Sequence, residues 1–397
     1  MKKKVGRNQV LQAGVVGGHQ AFIASHHEAA IFMSGTRRVV YAALHQDPET
    51  ALAAAKQWRY PLHGYASWQE MLAHQQGLPA NDRIDFAVIT TPNFCHFEQA
   101  MAFVKAGIPV VCEKPMTMTV AEADELTAAV VKTGVPFMLM HGYWGHWTAR
   151  FARFIIQQGL IGRVIKATAE YDQDWLVTQL EKMGNQQAEW RTDPAKAGMS
   201  GCGGDIGTHA LMQLEFVTGL PVSQISFARL ASLIGQRRLD DDFTVCAQLA
   251  DGTPFDIRAS QVRVGHKNHL QFEVNGDKGS VIWDQEKPEE LTVCRINKPD
   301  LVYWRGNVCA HDGFLKAVPR ELLKTYWPSG HPEGLHDAWC RLYDFFEVDV
   351  RRYYRGLPSI HAGVNYAGVE NGVRGMRFIE AAVECAQNGA PIAGRII

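Results

Sequence analysis

Neither sign of charge prevails in this 397-residue chain, where 40 Lys and Arg stand against 41 Asp and Glu. With no basic stripe, nucleic acid is excluded as an expected partner. No apolar run reaches the length that spans a bilayer, so no membrane partner is expected either. Met1-Lys2-Lys3-Lys4 is basic, but no signal-type apolar region and cleavage site follow, and it reads as a solvated tail before the first strand. Cys-x-x-Cys pairs are missing. The eight cysteines (Cys95, Cys112, Cys202, Cys246, Cys294, Cys309, Cys340 and Cys385) are scattered, several of them in apolar strands or helices. That excludes a disulfide framework and a zinc site, and fits reduced, cytoplasmic usage. There is no internal repeat and no low-complexity segment.

What is present is enough chain for two domains with substantial cores. Strands are expected at 9–16, 38–44, 84–90, 109–112 and 136–140. Helices are expected at 22–33, 48–58, 68–75, 96–106 and 120–133. Strands separated by crossover helices imply a parallel, doubly wound sheet over residues 1–145. The pattern then changes. After a helix at 148–158, strands follow near 164–171, 224–231, 243–249, 254–261, 270–274, 280–283 and 291–296, with hairpin turns at Asp251-Gly252 and Asn275-Gly276. A helix carrying Asp205 runs to Thr218, 299–335 reads as long loops, and 335–354 and 368–387 are amphipathic helices. Residues 146–397 therefore form an α+β domain with a large open antiparallel sheet. Such a sheet without obvious covering helices suggests self-association, as a dimer or tetramer.

Glu113-Lys114-Pro115 closes the apolar run 108–112. A lysine at the C-terminal end of a parallel strand faces the crevice where such sheets bind ligands. Asp205 and His209 are four residues apart in the expected helix and share one face. An ammonium, a carboxylate and an imidazole suit proton transfer to or from an alcohol or carbonyl. Each has a structural alternative: a solvated loop lysine, a helix N-cap, a satisfied core histidine. Gly14-Val15-Val16-Gly17-Gly18-His19-Gln20-Ala21-Phe22 follows the first strand, the context for a dinucleotide pyrophosphate at a helix N-terminus. His19 stands where the second fingerprint glycine belongs. His45-Gln46-Asp47-Pro48 ends the second strand with no acid at the ribose-reading place, and Asp47 is placed to cap the next helix.

Gly17-Gly18, Thr91-Pro92-Asn93 with His96, Glu113-Lys114-Pro115, Gly204-Asp205-Ile206-Gly207-Thr208-His209 and Glu370-Asn371-Gly372, in order along nearly the whole chain, resemble the Gfo/Idh/MocA oxidoreductases, relatives of glucose–fructose oxidoreductase and inositol dehydrogenase. The resemblance implies an N-terminal Rossmann domain and a C-terminal α/β domain with an open antiparallel sheet that binds substrate and oligomerises. It maps the family's lysine, aspartate and histidine onto Lys114, Asp205 and His209, and it implies a cis bond before Pro115. Gly17, Gly18, His19, Ala21, Phe22, His45, Thr91, Pro92, Asn93, His96, Glu113 and Lys114 become cofactor-site candidates for NAD or NADP, with NAD slightly ahead. For a sugar or cyclitol substrate the candidates are Lys114, Tyr143, Trp144, Trp175, Trp190, Arg191, Asp205, His209 and His331, with Trp147 among the nearby aromatics. Aromatic faces pack on sugar C–H faces, although core packing is their commoner use. His26-His27 and the pair His331 and His336 lack a convincing ligand set, so no metal is expected. Two other activities fit the same resemblance: a glycoside-cleaving enzyme with tightly held NAD that oxidises transiently, and a non-enzymatic dinucleotide-binding sensor.

Overall fold

The computed structural model describes residues 3, 6, 9–19, 22–60, 62–308 and 318–393. The chain divides into two compact units, Met1–His141 with Trp339–Val373, and Gly142–Ala338 with Arg374–Ile397. The first unit thus takes back a segment from within the stretch read as one domain over 146–397.

In the first unit, strands β1 (Leu11–Val16), β2 (Arg37–Ala43), β3 (His63–Gly64), β4 (Phe86–Ile89), β5 (Val110–Cys112) and β6 (Phe137–Leu139) form a six-stranded sheet in the order β3-β2-β1-β4-β5-β6. All its pairs are parallel. The crossovers are α1 (Phe22–Met33), α2 (Pro48–Gln57), α3 (Trp68–Gly77), α4 (His96–Lys105) and α5 (Val120–Thr133). β4, β5 and β6 are buried at every position, as strands covered on both faces must be. Local signals set the helix ends. Thr119 and Glu122 make a reciprocal capping box on α5, and Gly134 closes it with φ 66°. The start of the chain departs from expectation. Lys3 is buried, with its ammonium 2.8 Å from the buried Asp85 carboxylate and bonded to the Arg83 carbonyl. A lysine with a buried carboxylate to meet is drawn out of solvent, so this part of the tail is not solvated.

In the second unit, α6 (Trp147–Gln157) precedes β7 (Val164–Asp172). Short helices α7 (Gln186–Arg191) and α8 (Pro194–Ala197) lead to α9 (Thr208–Thr218). Then come β8 (Val222–Ala231), β9 (Asp242–Leu249), β10 (Pro254–Ser260), β11 (His269–Gly276), β12 (Gly279–Asp284), β13 (Glu290–Arg295) and β14 (Lys298–Trp304), then α10 (Arg320–Leu323) and β15 (Ile392–Ala393); of the two long helices, α11 (Leu335–Tyr354) belongs mostly to the first unit and α12 (Val369–Asn388) mostly to the second. Nine of these strands make one sheet in the order β14-β13-β12-β11-β7-β10-β9-β8-β15. Burial alternates along β9, β11 and β13, because one face packs on helices while the other stays partly exposed.

Three expectations are corrected here. The sheet is antiparallel except for β7 and β10, which pair in parallel with Ser260 opposite Asp172. Lys298–Trp304 is a strand rather than loop; Pro299 hides it in the sequence, and β14 tolerates a proline because it is an edge strand. Asn275 and Gly276 stay paired with β7, and the turn to β12 falls at Asp277-Lys278. Gly276 is required by close approach, not by a turn: a Cβ there would lie 2.1 Å from the Ile161 carbonyl oxygen. Among the described residues no helix is long and apolar enough to cross a membrane.

Candidate active site

The first unit gathers its candidates at the C-terminal edge of its sheet. β1 runs into Gly17 and Gly18, with φ 79° and 91°. A Cβ on Gly17 would lie 2.5 Å from Thr91 Cγ2, and one on Gly18 would lie 2.3 Å from Ala24 Cβ, so both must be glycine. The Gly17 and His19 N–H groups donate to Ala43 and Leu44 carbonyls at 2.8 and 3.0 Å. They extend the β1–β2 ladder. Ala21 lies outside the described residues, and Phe22 opens α1. The His19 and His45 rings meet edge to face at 5.8 Å. His45 Nδ1 accepts the Asp47 N–H at 3.0 Å, which puts the proton of neutral His45 on Nε2. Asp47 caps α2 through the Thr50 N–H and hydroxyl, and these bonds hold its carboxyl below the usual range.

After β4, the Thr91 hydroxyl donates to Gln99, and Asn93 is buried beside Pro92. His96 is fully buried, its two ring nitrogens each 2.8 Å from a carbonyl oxygen, one of Thr91 and one of Pro115. Two carbonyl contacts favour an imidazolium, but burial outweighs them and lowers the pKa. His96 thus braces the loop after β4 against the loop after β5. There Lys114 is half-buried between buried neighbours and is joined to Pro115 by a cis peptide bond. Glu113 is buried, accepts the Lys114 N–H on Oε2 at 3.3 Å, and meets His27 Nε2 at 2.9 Å. His141, after β6, is buried, and burial together with the Lys114 ammonium pushes its pKa down to about 3. Asn371 and Gly372 are structural. Asn371 accepts the Gly368 N–H at 3.0 Å, and a Cβ on Gly372 would lie 2.4 Å from Met116 Sδ.

In the second unit, residues 203–207 form a wide π-type turn that runs into α9. This replaces the single α-helix expected through Asp205. Every residue from Gly201 to Thr218 is buried except Asp205 and His209, which are half-buried. The two therefore share the partly open side of an otherwise enclosed element. Asp205 Oδ2 accepts from Arg191 Nε at 3.2 Å and Gln261 Nε2 at 2.9 Å. The Arg191 guanidinium lies 4.0 Å from the Trp190 ring centroid and 5.8 Å from that of Trp175. His209 meets the Tyr143 and Tyr171 rings at 5.1 and 5.9 Å. Beneath it the hydrogen bonds close a ring: Tyr143 and Tyr171 hydroxyls 2.6 Å apart, Tyr171 donating to Asn268 Oδ1 at 2.5 Å, and Asn268 Nδ2 donating to Tyr143 at 3.1 Å.

Two aromatic candidates belong to the core. Trp144 stacks on Phe216 at 4.5 Å and donates to the Met212 carbonyl, and Trp147 stacks on Phe151 and donates to the Leu322 carbonyl. Both are buried, and a buried indole N–H needs such a partner. Trp144, a candidate for the substrate in the sequence, thus sits among core side chains. His331 is exposed, and its carbonyl accepts from Arg305. Tyr171, Gln261 and Asn268 were missed in the sequence. Tyr171 and Gln261 lie at the C-terminal ends of β7 and β10, which reach the same edge only because those strands run parallel.

A glycine turn after the first strand of a parallel sheet, followed by a mixed-sheet unit whose 203–207 turn and α9 carry an Asp-x-x-x-His segment, defines a two-domain dinucleotide-dependent oxidoreductase. The comparisons agree. Residues 11–141 match the model of an oxidoreductase family with an NAD-binding Rossmann fold, and 149–282 match the GFO/IDH/MocA C-terminal domain. The chain belongs to the GFO/IDH/MocA family. It is 29% identical to the uncharacterized oxidoreductase YfiI of Bacillus subtilis over 82% of this chain and 81% of that one. With levoglucosan dehydrogenase of Pseudarthrobacter phenanthrenivorans the figures are 26%, 72% and 76%. The structure of an inositol dehydrogenase homolog from Azotobacter vinelandii, complexed with NADH and myo-inositol, superimposes with a TM-score of 0.87 at 26% identity, covering 98% of this chain and 99% of that one.

Proposed function

We propose that this protein is a dehydrogenase that moves hydride between NAD or NADP and a hydroxyl-bearing carbon of a sugar or cyclitol. The observation that carries the reading is the exposure pattern of 201–218, where only Asp205 and His209 escape burial. The glycine cradle at Gly17 and Gly18 fits a dinucleotide. When bound, the nicotinamide supplies the hydride acceptor. In this reading His209 takes the hydroxyl proton, Asp205 supports the imidazolium that results, and Lys114 stabilises negative charge on the reacting oxygen. Trp175, Trp190 and Arg191 offer aromatic faces and donors to a hydroxyl-rich ring. The named relatives support this class, since one is called a levoglucosan dehydrogenase and another was solved with myo-inositol. The partly exposed sheet face suits assembly as a dimer or tetramer. An absorbance screen of free sugars and cyclitols with each cofactor tests the reading. Net nicotinamide reduction with at least one is expected. Cofactor binding without net turnover of any polyol, but with cleavage of a glycoside, would replace it.

A further inference from the structure

The carboxylate of Glu113 is anchored by an element far from it in sequence. His27 lies on α1, fully buried, with Nε2 2.9 Å from Glu113 Oε1 and Nδ1 2.7 Å from the Tyr343 hydroxyl. A carboxylate oxygen only accepts, so neutral His27 carries its proton on Nε2 and accepts the hydrogen bond of the Tyr343 hydroxyl on Nδ1. Burial pushes the Tyr343 phenol well above its ordinary pKa, which keeps that hydroxyl a donor. The Trp339 ring, edge to face at 4.8 Å, packs against the imidazole. The chain of donors therefore runs one way, from Tyr343 through His27 to Glu113, as in second-layer hydrogen bonds that fix a functional group. Glu113 also accepts the Lys114 N–H, and a carboxylate with about four acceptor sites keeps room for a ligand hydroxyl.

Sheet order indicates which hydroxyl. The adenosine-side ribose is read at the end of β2. β5 lies on the opposite side of β1, across β4, at the same C-terminal edge. We propose that His27 is a positioning residue that fixes the Glu113 carboxylate as acceptor for a hydroxyl of the nicotinamide-side ribose. This rests on the dinucleotide reading above.

The test compares calorimetric binding of NAD and of ADP, which lacks that ribose, in wild type, His27→Leu, His27→Gln and Tyr343→Phe. His27→Leu should weaken NAD about tenfold while leaving ADP within about twofold, the loss of one hydrogen bond to a charged group. His27→Gln, whose amide N–H reaches the carboxylate, should recover most of the loss. Tyr343→Phe removes one oxygen and should weaken NAD selectively by about threefold, which decides the matter if His27→Leu does not fold. Unchanged NAD binding in folded His27→Leu, or equal weakening of NAD and ADP in either variant, overturns the proposal. A wild-type protein that binds neither overturns the dinucleotide reading instead.

Discussion

Acid should act on the fold through His141. Its imidazole is 3% exposed, and its pKa falls from 6.5 to about 3, first through burial and then through the Lys114 charge. Between these values the unfolded chain holds a proton that the folded chain refuses, so stability falls as pH drops through 6.5 and stops falling near 3. Each pH unit inside the window removes at most ~1.4 kcal/mol, and the gap of about 3.5 units at most ~5 kcal/mol. That is comparable with the lower end of the net stability of a domain, roughly 5–15 kcal/mol. His96, lowered by burial, has the same sign. Asp85, Asp172, Asp240 and Glu215 are raised by burial and oppose it, since the folded chain holds their protons more tightly. The wild-type curve therefore mixes signs, and the difference from His141→Asn isolates one group. Asparagine keeps a polar atom near Nδ1 and does not ionise. Urea unfolding should show the wild-type advantage over the variant shrinking by about 2–3 kcal/mol from about pH 6.5 to about pH 4.5. Parallel curves would refute the assignment of His141 as a buried neutral histidine.

The remaining expectations concern the proposed site. Lys114→Ala should lower kcat by about a hundredfold or more with an unchanged melting curve, and near-normal turnover with cofactor bound would remove Lys114 from the chemistry. His209→Ala should cost about 10²–10⁴-fold in kcat, read by steady-state kinetics, and a smaller loss would mean that another group takes the proton. Gly18→Ala meets both a φ of 91° and Ala24 Cβ at 2.3 Å. Backbone strain and overpacking together should cost roughly 2–5 kcal/mol in denaturant titration, and a loss below about 0.5 kcal/mol would contradict so tight a turn. His45→Asp should sharpen the preference for NAD over NADP by placing repulsion against a 2′-phosphate. If the ratio of binding constants does not move, another residue reads the ribose.

The parallel sheet was legible because its strands are short buried apolar runs and its helices carry their own stop signals, as at Thr119 and Gly134. α1 and α5 fall where the sequence put them. Legibility failed where tertiary pairing overrode local pattern. Pro299 disguised β14, and Asn275-Gly276 looked like a turn although Gly276 serves a close approach to Ile161. The parallel pairing of β7 with β10 joins segments far apart in sequence, and no local signal announces it. Its consequence reaches the site, since it brings Gln261 to Asp205. The aromatic cluster at 143–147 was legible as aromatic but not as core or site. Only the partner of each indole N–H, Met212 or Leu322, decides that.

The strongest structural alternative for Asp205 was a helix N-cap, and the structure gives that work to another residue. Asp240, buried, accepts the Gly201 and Gly203 N–H groups at 2.7 and 2.9 Å and the Ser200 hydroxyl at 3.1 Å. Those are the donors at the start of the turn that a capping side chain would satisfy. Asp241 and Asp242 have structural tasks as well: Asp241 accepts the Leu233 and Ile234 N–H groups, and Asp242 pairs with Arg229. The wide turn at 203–207 adds a residue to the local winding, a device frequent at functional sites, and Asp205 faces Arg191 and Gln261 instead of the helix N–H groups. A carboxylate relieved of capping, held by a guanidinium that itself stacks on Trp190, is fixed in direction at the cost of local hydrogen-bonding options. Lysine offers neither the planar stack nor the Nε geometry, so Arg191→Lys should leave Asp205 held by Gln261 alone, read as a lowered kcat in steady-state kinetics, whereas an unchanged kcat would mean that Arg191 serves as a charge contact only.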